Sequence, residues 1–184
     1  MELKVTTLTH EVPMTEFIEG FVDVPRFMGA CSACGNYGKK WACPPYDFDP
    51  AEIWIKYSSV LLYCKRIELD EETLEKSYSP EELANAYNGI FSRVKSEMLE
   101  ELFKLEAEHG GSLALSAGGC DICFRCARQD GLPCIMPDKM RFSVESIGGD
   151  VVKSLREYFG IEIEWAKDGK LPAHFSLLGG LLLK

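Results

Sequence analysis

The residues with most chemistry to offer are seven of the eight cysteines, which fall in two groups. Cys120, Cys123, Cys126 and Cys134 stand at C-x2-C-x2-C-x7-C. Cys31, Cys34 and Cys43 repeat the theme as C-x2-C-x8-C, followed at once by Pro44 and Pro45. Three thiolates at successive two-residue gaps can reach three corners of a small inorganic cluster, and a more distant cysteine can close it. Zinc is the alternative for the second group, since a structural zinc takes four ligands at tetrahedral corners. Zinc knuckles usually come as two separate C-x2-C pairs, however, so the triple spacing favours a [4Fe–4S] cluster.

The first group is short of a ligand, because a cubane takes four. Cys64 is one candidate, but it lies mid-strand and alternates with Val60 and Leu62, where a cysteine behaves as a small hydrophobe. Cys134 could cross over, as in two-cluster ferredoxins. Otherwise one centre has four protein thiolates and the other three. The open position could then take substrate, or be filled by water, a partner's side chain or a carboxylate such as Asp47 or Asp49.

The elements that must position these groups are legible from periodicity. Residues 2–9 alternate as an edge strand, and Met14 to Phe27 read as an amphipathic helix with a turn at Pro25. Gly35, Gly38, Pro44 and Pro45 mark the first cysteine loop, 31–45, as irregular. A brief helix follows at Pro50–Tyr57, then an interior strand, Ser59–Leu69. Ser79-Pro80-Glu81-Glu82 starts a helix of about 30 residues, with Leu83, Tyr87, Ile90, Val94, Met98, Leu102 and Leu105 on one face. Ser112–Ala117 is a short strand that feeds the second cysteine loop, 118–140. A helix from Val151 to Phe159, a strand at Ile161–Trp165, a turn at Asp168-Gly169 and a last strand at His174–Leu183 complete the chain. The expected architecture is one α/β domain over 1–184, with a mixed sheet, one long helix and two cysteine-rich metal-binding loops.

Composition limits the function. Formal charge is −9, which opposes binding to a nucleic-acid backbone. No apolar run approaches the ~20 residues of a membrane span, and the amino terminus lacks signal-peptide character. The expectation is a soluble, cytoplasmic chain. Closely spaced cysteines in that reducing compartment are metal ligands or redox centres more often than disulfides.

Two strings carry a family likeness: Cys31-x2-Cys34-Gly-x-Tyr37-Gly38-x2-Trp41-x-Cys43-Pro-Pro, and Cys120-x2-Cys123-x2-Cys126-x7-Cys134-x2-Pro137, then Arg141-x-Ser143-x-Glu145-x2-Gly148. They resemble the bacterial and archaeal "predicted metal-binding protein" family, a domain of unknown function. The resemblance spans nearly the whole chain. It implies metal binding, with an iron–sulfur centre in an anaerobe, and it implies no particular reaction.

Around the loops, Arg125, Arg128, Lys39 and Lys40 could stabilise thiolates and raise a cluster's potential, or simply be solvated. Trp41, Tyr37 and Phe124 are expected to shield the centres from water. Gly148-Gly149 could admit backbone N–H groups to an anion, or allow close helix packing. His10, His109 and His174 read as surface or strand residues. There is no phosphate loop, nucleophile elbow, dinucleotide fingerprint or radical S-adenosylmethionine spacing. The expected function is therefore a [4Fe–4S] protein, with one or two clusters, that exchanges electrons with a redox partner protein. The alternatives are an enzyme acting at a three-cysteine cluster and a zinc-stabilised interaction module.

Overall fold

The computed structural model describes residues 3–184. Four strands form one sheet in the order β1-β2-β4-β3: β1 Leu3–Pro13, β2 Ser59–Leu69, β3 Leu113–Leu115 and β4 His174–Leu183. The helices are α1 Met14–Phe21, α2 Val24–Ser32, α3 Ala51–Trp54, α4 Glu71–Glu75, α5 Pro80–Glu108 and α6 Val151–Phe159. The α/β architecture with one long helix is as expected, but every pairing between named strands is antiparallel rather than mixed. The reason lies in β4. The β2-α5-β3 crossover does set two strands running the same way, but β4 inserts between them and pairs antiparallel with both.

Alternation along β2 sorts the two faces. Val60, Leu62 and Cys64 point toward α1, α3 and α6, in a layer with Phe17, Trp54 and Leu155. Tyr63, Ile67 and Leu69 point toward α5, against Ile90, Val94, Met98 and Leu102. Burying those four α5 side chains contributes roughly 1.5–3 kcal/mol each. The start of α5 is the expected capping box: Ser79 Oγ accepts from the Glu82 N–H, and Glu82 Oε2 accepts from the Ser79 N–H at 2.7 Å. On the same face Lys65, only 6% exposed at its side chain, pairs with Glu101 of α5 at 2.5 Å and donates to Thr7 at 2.7 Å.

Two expected elements take another form. The segment from Met14 to Phe27 is two helices, because Asp23 caps α2 by accepting from the Arg26 N–H at 3.0 Å. Pro25 therefore opens a helix instead of closing one, and Cys31 sits in its last turn. Ile161–Trp165 is not a strand. Ile161 is buried, which explains the apparent alternation, but the neighbouring polar groups bond elsewhere. The Glu162 carbonyl meets the His174 ring, Glu164 accepts from the Ala173 N–H, and the Ala166 N–H donates to the Tyr87 hydroxyl. The turn at Asp168-Gly169 is present, with both residues at positive φ.

Gly148 and Gly149 serve close packing. A Cβ on Gly149 would lie 2.6 Å from Val144 Cγ1 and 2.9 Å from the Val144 carbonyl oxygen. One on Gly148, at φ +94°, would lie 2.9 Å from the Val24 backbone. Gly149→Ala is expected to cost about 1–3 kcal/mol, the usual range for overpacking, seen as a lower denaturant midpoint. An unchanged midpoint would mean that the backbone gives way freely there.

Candidate metal centre

The base of the second cysteine loop is held shut. Beyond β3 the Ser116 N–H donates to the Phe142 carbonyl at 2.8 Å, and Ser116 forms a parallel bridge with Ser143. The chain thus leaves the sheet and returns to it at one point. Glu106 of α5 fixes both edges of that point. It accepts from the Ala114 N–H at 2.8 Å and takes a two-pronged ion pair from Arg141, at 2.6 and 2.9 Å. Between these anchors the chain carries one short 3-10 turn, Ala127–Asp130.

The two cysteine stretches are packed on each other by polar contacts. Arg128, from the 3-10 turn, donates to the carbonyls of Lys40 at 2.8 Å, Cys43 at 2.5 Å and Pro45 at 2.5 Å. Its guanidinium also lies 5.0 Å from the Trp41 ring centroid. Trp41 Nε1 donates to the Leu132 carbonyl at 3.0 Å. Asp121, next to Cys120, is paired with both Lys40 of the first stretch and Lys95 of α5. Burial alone would raise the Asp121 carboxyl, but hydrogen bonds from the two lysines outweigh it and hold it below its ordinary value.

Cys120, Cys123, Cys126 and Cys134 line a single cavity of about 310 Å³, with Lys40, Trp41, Asp121, Phe124 and Met140 among its walls. That is roughly an order of magnitude more space than one water requires. All four thiols are partly exposed. Burial pushes the Cys120 thiol up, countered in part by the Ile122 N–H and Lys95.

Of the first group, Cys43 lies close to the second loop: a Cβ on Gly119, the residue before Cys120, would sit 3.5 Å from Cys43 Sγ. The Cys34 N–H donates to the Cys31 carbonyl at 2.9 Å, and the Gly38 N–H donates to the Pro44 carbonyl at 2.8 Å, which folds the stretch back on itself. Burial raises the Cys31 thiol and lifts that of Cys43 to about 11, with the charges of Cys34 and Glu145 acting in the same direction on both. Lys40 opposes this at Cys43.

The structure sorts the other candidates. Cys64 is fully buried in the sheet core, where desolvation raises its thiol to about 12. Cys134 stays with the second group. Arg128 is spent on backbone carbonyls and Arg125 on Asp130 at 2.6 Å, so neither is simply a thiolate partner. Phe124 is fully exposed at the cavity mouth, so it does not seal the centre as expected, whereas Trp41 is part-buried against Arg128. His10 stacks on Tyr158, His109 ends α5 and His174 faces Glu164, all away from the cysteine cavity.

Sequence reasoning missed Lys95, Glu106, Ser116 and the placement of Glu145. Ser92 and Ser96, hydroxyl residues in the middle of a helix, were the available signal for a polar site on α5. With Lys95, Leu99, Ser116 and Arg141 they line a second chamber of about 210 Å³, which shares Cys120, Asp121 and Ile122 with the cysteine cavity. Ser116 Oγ is buried there without a hydrogen-bond partner.

A family model described as "predicted metal-binding protein", DUF2284, matches residues 21–183. The chain belongs to the DUF2284 family of predicted metal-binding proteins. No curated protein and no solved structure matches it. The DUF2284 match takes in both cysteine groups, Arg128, Glu106, Arg141 and Glu145; β1 and all of α1 but Phe21 precede it. Among the described residues of this DUF2284 chain, no set of three or more His, Cys, Asp or Glu side chains converges closely enough to hold a single metal ion. The four cysteines of the second group instead share the lining of one cavity. Among the described residues no helix is long and apolar enough to cross a membrane.

Proposed function

We propose that this DUF2284 protein is a cytoplasmic iron–sulfur protein that exchanges electrons with a partner protein. The observation that carries the reading is the single cavity lined by all four cysteines of the C-x2-C-x2-C-x7-C stretch. A zinc ion would require its sulfurs within ~2.3 Å of one point. A cubane instead places its thiolates around a body of several atoms, and the spacing of the cysteines and the roominess of the cavity both suit it. When bound, such a cluster supplies one-electron transfer. Cys120, Cys123, Cys126 and Cys134 would hold it, with Lys40 and Lys95 beside it to offset thiolate charge, and Trp41 and Met140 to limit water.

The rim supports a protein partner. Phe124, Leu132 and Ile135 are exposed apolar side chains on the loop that carries the cysteines. Purified without oxygen, the protein is expected to be brown, to bleach with dithionite and to recover on reoxidation. A colourless preparation holding zinc would instead support the zinc-stabilised interaction module.

The serine-lined chamber beside Cys120 favours a second reading, in which a small substrate is held next to the centre by Lys95 and Ser116. Electron paramagnetic resonance of the reduced protein distinguishes the two. Added small molecules change the spectrum only if the chamber presents them to the metal.

A further inference from the structure

We propose that the chamber between α5 and the Cys120 stretch binds a small neutral carbonyl compound, whose oxygen accepts from the Ser116 hydroxyl and the Lys95 ammonium. This names the ligand class of the second reading above and rests on that reading for any effect at the metal centre, whereas binding itself rests on the chamber. Its volume of about 210 Å³ holds a molecule of about six or seven heavy atoms, at the ~30 Å³ that one water occupies.

The deciding group is Ser116. It is 2% exposed, and its Oγ is buried without a hydrogen-bond partner, although its backbone N–H donates to the Phe142 carbonyl at 2.8 Å. A buried hydroxyl left unpaired destabilises the fold, and alanine would fill the space without that penalty. The facing wall matches it. Ser92, Lys95, Ser96 and Leu99 fall at i, i+3, i+4 and i+7 of α5, which puts two hydroxyls, an ammonium and an apolar side chain on a single stripe over the chamber. Ile122 and Cys120 extend the apolar surface. Water would serve the donors but would leave Leu99 and Ile122 hydrated, whereas a short hydrocarbon chain covers them.

Charge then sets the ligand's class. The cations at the chamber already hold carboxylates: Lys95 and Lys40 share Asp121, and Arg141 grips Glu106. Among the described residues that line the chamber, no unpaired charge is left to hold an anion, and desolvating one beside these pairs is unfavourable. What remains is donor capacity. Lys95 donates to the Gly119 carbonyl and to Asp121, which leaves one ammonium hydrogen unused, and the Ser116 hydroxyl donates to nothing. The group that fits two such donors beside an apolar wall is a carbonyl oxygen on a short chain.

The test adds the full chain, purified without oxygen, to butanamide, butanone and butanoate and follows the broadening of their methyl resonances. Butanamide and butanoate share a shape, so charge separates them. Both neutral probes are expected to bind, and butanoate to bind about tenfold more weakly or worse. Ser116→Ala should weaken butanamide about tenfold, the usual scale of one hydrogen bond, while the denaturant midpoint holds. Ser96→Phe, at an exposed position of α5, should fill the chamber and abolish binding with the circular dichroism of wild type. Ser176→Ala is the control: its hydroxyl is also buried and unpartnered but does not line the chamber, so affinity should be unchanged. No binding by any of the three probes, tighter binding of butanoate, or an affinity indifferent to Ser116→Ala or to Ser96→Phe overturns the proposal. Binding that leaves the paramagnetic resonance of the reduced protein unchanged upholds the site and contradicts the second reading. Binding by a chain free of iron upholds the site and contradicts the iron–sulfur reading.

Discussion

Cys126→Ser is expected to remove about four irons and four sulfides per chain while the sheet stays folded. Cys126 lines the cavity with Cys120, Cys123 and Cys134, and a hydroxyl is a poor substitute for a thiolate on iron. The fold survives because the loop is anchored outside the site, by the Ser116–Ser143 bridge and the Arg141–Glu106 ion pair. The core shared by α5 and the sheet contains none of the four cysteines. Cys64→Ala is the matched control: a buried cysteine lost from the core, with a modest stability cost of around 1 kcal/mol and full iron content. If Cys64→Ala lost iron and Cys126→Ser did not, the assignment of ligands would be inverted.

Arg128→Ala should separate the two cysteine stretches. One guanidinium supplies the carbonyls of Lys40, Cys43 and Pro45 and covers Trp41, contacts that join residues more than 80 positions apart. Hydrogen bonds from a charged donor contribute about 1.5–3 kcal/mol, and the freed carbonyls regain some of that from water, so a net loss of roughly 2–3 kcal/mol is expected. Arg128→Lys should recover little of it, because an ammonium on a flexible stem does not reproduce a rigid fork aimed at three acceptors. The checks are the denaturant midpoint and the rate at which a chelator extracts iron. Extraction at the wild-type rate from Arg128→Ala would show that the clamp does not govern the centre.

Much of this arrangement could be read from the chain alone because it is local. The capping box at Ser79, the apolar stripe of α5, the alternation of β2 and the place of Cys64 within it all follow from residues a few positions apart. The cysteine spacing that suggests a cluster is local in the same way. What was hidden depends on contacts across the chain. Nothing near Ser112–Ala117 reveals that β4 will insert beside it, so the sheet read as mixed. A turn was expected at Pro25, yet Asp23 caps α2 there, splits one expected helix into two and carries Cys31 onto the second.

The candidate site shows the same division. Arg128 read as loop charge because its three acceptors are backbone carbonyls, which leave no mark in side-chain identity. Glu145 was visible as part of a family string, but its hydrogen bond from the Gly118 N–H joins residues 27 positions apart. Phe124 misled in the opposite direction. An aromatic inside a cysteine loop suggests a shield, and only the fold shows it at the cavity mouth, facing solvent.

The most direct test is a determination of iron, acid-labile sulfide and zinc on the intact chain, purified and kept without oxygen. The account predicts iron and sulfide in equal amounts, about eight of each per chain when both centres are filled and about four when only the Cys120 cavity is. Zinc in their place, with no sulfide, would contradict it.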